Sequence, residues 1–295
     1  MILVTGAAGL SGRTAIGALA RRSLHTRAFV RDEAQARQAR EAGAAETFVG
    51  DLRNPADAAA ALRGCDALHL IAPRLVGDEV AIGLSWLAAA RQAGLRKVVY
   101  QGVSHPWIQD MPHHWDKLLV QRAIEESDLP FVVLQPTNYM RNVTWAWELL
   151  VRERVYRLPY SADTPLSWVD SDDVGEAAAV VHATNRFDQG AYELCGTVGG
   201  LTRRQLCAML SERLGVEIRP EVADWDDWRR LPRYARWSSE QLRRLQCMFA
   251  YYDRHGLRGG NPAVLSMLLG RPATTYEQYL DRLMALPPQQ RAARD

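Results

Sequence analysis

The chain has 295 residues, 47% of them hydrophobic and 24% charged, with a formal net charge of +2. That size and balance suit a globular protein with a substantial core, and the near-neutral charge gives no electrostatic case for nucleic acid. No run of about 18 apolar residues is present, so no membrane partner is expected, and the first strand starts at once, which leaves no room for a signal peptide.

The four cysteines (Cys65, Cys195, Cys207 and Cys247) are scattered without metal or redox spacing, which fits a reduced, cytoplasmic compartment. The seven histidines lack cysteine or carboxylate partners at ligand spacing, so no metal site is expected. Only Lys97 and Lys117 are lysines among the 36 basic residues. A lysine in a pocket therefore carries weight, because it can lose its proton and arginine cannot.

Met1 to Val4 read as a short strand buried on both faces. It breaks into Gly6-x-x-Gly9-x-x-Gly12, followed by a helix over residues 13–22. Such a turn offers free backbone N–H groups at the positive end of a helix, which suits a pyrophosphate. Gly6, Ala8, Gly9, Leu10, Ser11 and Gly12 are the candidate cradle.

A second strand over 25–30 ends at Arg31-Asp32. Arg31 at that strand end favours a 2′-phosphate, hence NADP(H) with NAD(H) as the alternative, and Asp32 reads as a helix cap. A helix (32–42) and a third strand (44–49) lead to Asp51-Leu52, where a carboxylate can meet the adenine amino group or simply close a turn.

A helix (55–63), a strand (67–71) ending at Ile71-Ala72, a helix (78–93) and a strand (97–100) complete five βα units. Alternation of this kind predicts an α/β fold with a doubly wound parallel sheet of Rossmann type. Ligands in such sheets lie at the carboxyl ends of the strands. That adds Gly102 and Val103 after strand five, and Pro136 and Asn138 after strand six (131–134), to the candidate cofactor contacts.

Beyond residue 150 the alternation fades. A helix over 172–184, a strand over 191–194 and a helix over 202–214 remain legible. The chain is expected to divide into residues 1–150, with a return segment near 165–195, and a smaller, mostly helical lobe over 151–295 that fits the substrate. The residues from Pro287 onward read as a frayed end.

Several stretches together resemble the NmrA-like branch of the extended, atypical short-chain dehydrogenase/reductase superfamily. They are residues 5–12, Val30-Arg31-Asp32, Gly50-Asp51-Leu52, His114-x-x-Lys117, residues 127–136, Tyr139-Met140-x-Asn142, residues 251–257 and residues 268–274. The resemblance implies a dinucleotide-binding domain and a small lobe closing a substrate cleft. It implies either a reductase of quinones, dyes, azo compounds or phenylpropanoid ethers, or a non-catalytic sensor that regulates a partner. A homodimer is left open.

The superfamily's usual acid is the tyrosine of Tyr-x-x-x-Lys. Here His113 stands four before Lys117, and no tyrosine stands four before either lysine. Lys117 is similar to the lysine of the plant ether reductases, which would contact the cofactor and relay a proton. His113 and His114 are alternative acids, and since neighbours on a helix point about 100° apart only one should face the cleft. Tyr139, Trp168 and Trp107 are the candidate substrate contacts, with Trp115, Trp145 and Trp147 as further aromatic lining. The leading expectation is an NADPH-dependent reductase of a small conjugated or aromatic molecule, quinone-, imine- or enone-like. The alternatives are the sensor and an isomerase or dehydratase holding NAD.

Overall fold

The computed structural model describes residues 1–292. It opens with β1 (Ile2–Val4), α1 (Leu10–Arg21), β2 (Thr26–Val30), α2 (Glu33–Glu41), β3 (Glu46–Val49) and α3 (Pro55–Leu62). Then come β4 (Ala67–Leu70), α4 (Glu79–Gln92), β5 (Lys97–Gln101), α5 (Pro112–Glu125) and β6 (Phe131–Pro136). Short pieces follow: β7 (Asn138–Tyr139), α6 (Trp147–Glu153), β8 (Val155–Leu158), β9 (Pro165–Leu166) and β10 (Trp168–Val169). The chain continues through α7 (Ser171–Ala183), β11 (Gly190–Leu194), β12 (Leu201–Thr202), α8 (Arg203–Leu214) and β13 (Arg219–Val222). It ends in four helices, α9 (Trp225–Trp228), α10 (Ser239–His255), α11 (Pro262–Leu269) and α12 (Tyr276–Ala285).

Seven strands form one parallel sheet in the order β11-β6-β5-β4-β1-β2-β3. The central strands β1, β4, β5 and β6 are buried along their whole length, as parallel strands covered on both faces must be. The order reverses between β1 and β4, and a crevice opens there at the carboxyl ends. The Thr5 hydroxyl fixes that edge, donating to the Ile71 carbonyl at 3.0 Å and accepting from the Ile71 amide at 2.7 Å.

One apolar layer packs Trp86, Ile82, Val120 and Ile124 of α4 and α5 against one face of the sheet. On the other face α1 and α7 touch closely, because Gly175 has no side chain. A Cβ there would stand 2.6 Å from the Thr14 carbonyl oxygen. A separate core of aromatic and aliphatic side chains holds the C-terminal elements together, with Trp147, Tyr156, Trp168, Tyr276 and Leu280 at its centre.

The late motifs act as staples. Thr274 donates its amide (2.7 Å) and hydroxyl (3.0 Å) to Asp173 at the start of α7, and Arg271 pairs with the same carboxylate at 2.7 Å. Arg282 of α12 pairs with Asp170, the cap of that helix. Tyr252 of α10 donates to the Asn138 side chain at 3.0 Å.

Three details differ from the sequence reading. Helix α1 begins at Leu10 instead of residue 13, because Gly9 adopts an extended conformation and the helix starts directly after it. Strand β6 runs two residues past Leu134, since Pro136 still pairs with Leu194. After Pro287 a 3₁₀ turn spans Pro288–Gln290, and Arg291 donates to the Leu286 carbonyl. Residues 293–295 of the expected frayed end lie outside the described residues.

Candidate functional site

The glycine turn is shaped by contacts that side chains would prevent. Gly6 sits at φ +58°, and a Cβ on it would lie 3.1 Å from the Ile71 side chain. A Cβ on Gly12 would lie 2.6 Å from the Ala7 Cα. The start of α1 therefore passes tightly over the end of β1. Helix α1 has no side-chain cap, unlike α2, α3, α7 and α8, which are capped by Asp32, Asn54, Asp170 and Thr202, and it has no acidic residue in its first turn. Its amides around Leu10, Ser11 and Gly12 thus face the crevice beside Ala8 with their dipole uncompensated, an arrangement that favours an anion.

The other candidate cofactor contacts lie at the carboxyl ends of the neighbouring strands of the same sheet. The Arg31 side chain is 79% exposed and reaches only Asp32, at 3.5 Å, while Asp32 caps α2. The Asp51 carboxylate accepts from the Arg53 amide and closes its own turn, and the Leu52 carbonyl accepts from Trp86 Nε1. Ile71 and Ala72 follow β4 directly beside Gly6. The Gly102 amide donates to the Leu134 carbonyl, with Val103 next in the chain, and the Pro136 carbonyl accepts from Ser104. Asn138 bonds to Ser167 and Tyr252, which joins this edge to the later helices.

The three candidate acids fall in different surroundings. Lys117 Nζ lies 2.5 Å from Glu79 Oε1; Glu79 is fully buried, and the Tyr100 hydroxyl also approaches that oxygen at 3.4 Å. The ammonium is therefore committed to a buried carboxylate. His114 turns inward to the His105 carbonyl at 3.1 Å, and burial drives it down to about 4. His113 faces an aromatic cavity, its Nδ1 has no hydrogen-bond partner, and burial holds its proton affinity well below that of a free imidazole.

That cavity has a volume of about 1020 Å³. Tyr139 and Trp168 line it, as does Trp145; Trp147 is packed in the core beside it. Trp107 lies elsewhere, 61% exposed and packed on His105 at the edge of a separate shallow depression. Much of the remaining wall comes from the C-terminal segments, namely Trp228, Tyr234, Trp237, Phe249 and Tyr252.

Tyr139 is the link between the two regions. Its hydroxyl lies 3.2 Å from Ser11 Oγ of the glycine turn and accepts from Gln101 Nε2, at the end of β5, at 2.9 Å. Burial pushes the phenol up to about 12, so it is protonated at neutral pH. Gln101 and Thr5 were not anticipated from the sequence, because a glutamine or threonine at a strand end has no motif of its own. The aromatic residues of the tail signalled themselves only as a composition bias.

No helix among the described residues is long and apolar enough to cross a membrane. No cluster of three or more His, Cys, Asp or Glu that could hold a metal is found among the described residues.

Residues 1–280 match the model of the NmrA-like family. The chain is 31% identical over 288 residues to a (4-alkanoyl-5-oxo-2,5-dihydrofuran-3-yl)methyl phosphate reductase of Streptomyces griseus, covering 95% of this chain and 96% of that protein. It is 29% identical over 222 residues to an NAD(P)H azoreductase of Xenophilus azovorans, covering 74% and 76%. Among solved structures, the NADPH complex of the quinone oxidoreductase QOR2 of Escherichia coli superposes with a TM-score of 0.81 at 22% identity, covering 96% and 99%. At that identity the superposition speaks for the fold alone. Together with the glycine turn, the strand order and the staples at residues 271–274, the whole-length match establishes that this chain belongs to the NmrA-like family.

Proposed function

We propose that the protein is an NADPH-dependent reductase of a small conjugated or aromatic acceptor. The observation that carries this reading is the contact between Ser11 and Tyr139, which joins an uncapped helix start suited to a pyrophosphate to an aromatic cavity of about 1020 Å³. The similar proteins from Streptomyces and Xenophilus are by name a reductase and an NAD(P)H azoreductase, in keeping with it. In this reading residues 1–150, with the return segment 165–195, hold the dinucleotide, and residues 151–295 cover the substrate.

The residues present fit NADP(H). The amides at the start of α1 would take the pyrophosphate, Arg31 would take the 2′-phosphate, and residues at the ends of β4, β5 and β6 would hold the nicotinamide half. Bound there, the cofactor supplies a hydride. The protein's own part is to hold a flat acceptor beside it and exclude water.

Tyr139 is the group best placed to give the matching proton. Gln101 donates into its oxygen, so the phenolic hydrogen points either to Ser11 Oγ or, when Ser11 is the donor, to an acceptor heteroatom. His113, neutral and without a partner at Nδ1, is a polar contact for the substrate on the same wall. Lys117, tied to Glu79, positions α5 against α4.

The test is rapid mixing of the protein and NADPH with a panel of quinones, azo compounds and enones. Acceptor-dependent NADPH oxidation is the expected result. Tight NADPH binding with no turnover across the panel would instead favour a dinucleotide sensor.

A further inference from the structure

A line of buried polar side chains runs from Tyr139 to α7. Gln101 Nε2 donates to the Tyr139 hydroxyl at 2.9 Å, and His69 Nδ1 lies 3.2 Å from His182 Nε2 of α7. His69 of β4 pairs with Val99 of β5, and Gln101 stands two residues further along, on the same face. The Gln101 side chain meets His69, and the contact favours a proton on that ring. His69 Nε2 and Gln101 Oε1 are both buried, and neither has a hydrogen-bond partner outside this pair among the described residues.

This line has a direction. Burial lowers His69 to about 4 and His182 well below the free value, so at neutral pH each ring is neutral with a single N–H. Lys97, held beside them by the Val181 and Thr184 carbonyls, opposes an added proton on His182. At 3.2 Å two bare nitrogens, or two N–H groups, would repel, so one hydrogen lies between the rings. With its amide nitrogen on Tyr139, Gln101 offers His69 only its oxygen, which can only accept. His69 then carries its hydrogen on Nε2, and its bare Nδ1 accepts from His182. The Tyr139 hydroxyl keeps its own hydrogen for Ser11 Oγ or for an acceptor in the cavity. The reverse polarity would spend that hydrogen on the amide oxygen. As the proton leaves, the same Gln101 N–H bonds to the phenolate that forms.

We propose that Gln101, His69 and His182 are positioning residues for proton delivery, a one-way hydrogen-bonded chain that keeps Tyr139 a donor towards the cavity. The acceptor takes its electron pair from NADPH and its proton from Tyr139, and solvent restores the phenol. This deepens the reductase reading and rests on it for turnover, whereas the polarity of the chain can be measured without it.

The experiment reads kcat and KM for NADPH oxidation with 1,4-naphthoquinone as the acceptor. Gln101→Met is expected to lower kcat about tenfold, the size of one hydrogen bond to a charged group, with KM unchanged within about twofold. In a Tyr139→Phe background the same change costs nothing further, because the group it serves is gone. His69→Phe lowers kcat severalfold, while His69→Gln, whose amide nitrogen can take the place of Nε2, keeps it. Equal losses for Gln101→Met in both backgrounds, or losses confined to KM, overturn the proposal. Long-range proton–nitrogen NMR of isotope-labelled histidines reads the tautomers, with His69 identified by the loss of its signals in His69→Gln. Hydrogen on Nε2 of His69 is expected, and hydrogen on Nδ1 overturns the chain whether or not the quinone is reduced. The expected tautomer without any oxidation of NADPH would remove the reductase reading and leave the polarity of the chain standing.

Discussion

The hydroxyl of Tyr139 lies 3.2 Å from Ser11 Oγ, so a single phenol on β7 touches the glycine turn that follows β1. The two residues are 128 positions apart, and only the return of the chain across the sheet edge brings them together. If this phenol delivers the proton, Tyr139→Phe lowers kcat by about 10²-fold, within the usual range for general acid catalysis. The dissociation constant for NADPH should change by less than about threefold. Steady-state kinetics beside a cofactor titration checks this; an unchanged kcat would assign the proton to another group.

Arg31 bears on cofactor choice. Its side chain is exposed and held only by a 3.5 Å contact with Asp32, so it is available to a 2′-phosphate. Arg31→Ala is expected to weaken NADPH by about tenfold, the size of one charge-assisted hydrogen bond, and to leave NADH unchanged. Parallel titrations with both cofactors decide it: equal losses would place the 2′-phosphate elsewhere.

Lys117 and Glu79 form a pair in which the carboxylate is 1% exposed and the lysine 16%. Removing the cation strands a buried charge, which typically costs about 3–5 kcal/mol. Lys117→Met should therefore lower the stability by roughly that amount, and Lys117→Met combined with Glu79→Gln should recover much of it. Urea unfolding of the three proteins measures this. A stable Lys117→Met protein with collapsed kcat would restore lysine as the acid.

Histidine burial sets the acid side of the stability curve. Burial lowers His69 and His114 to about 4, and lowers His113 and His182 well below the free value. In the unfolded chain all four titrate near 6.5. Below that pH the unfolded state binds more protons than the native state, so stability falls as pH falls from about 6.5 towards about 4. For His69 and His114 the loss by pH 5.5 is about 1.4 kcal/mol each. His69 Nδ1 and His182 Nε2 share a contact of 3.2 Å, which leaves room for one proton between them and sharpens the effect. Urea midpoints at pH 7.5 and 5.5 should show the drop, and a flat profile would mean that water reaches these imidazoles.

The order of strands β1 to β6, the glycine turn and the Asp32 cap were all written locally. Each rests on apolar runs of four to six residues, on missing side chains at fixed offsets, or on one oxygen beside a helix start. The sequence likewise showed that neither lysine is preceded by a tyrosine at the Tyr-x-x-x-Lys spacing. Tertiary structure alone decided which candidates face the cavity. His113 and His114 are neighbours on α5, yet one looks into the cavity and the other to the His105 carbonyl. Lys117 looks away because Glu79, 38 residues earlier, lies against it. Trp107 and Trp168 are equally aromatic on paper, but one is exposed on a loop and the other is buried beneath Tyr276. The cavity is made from segments as far apart as Arg74 and Phe249, whose meeting depends on β10 and α7 returning to the sheet and on Asp173 gripping Thr274. Periodicity and capping act over a few residues, so they fix elements; which side chains share a pocket depends on contacts between residues distant in the chain, which no local pattern encodes.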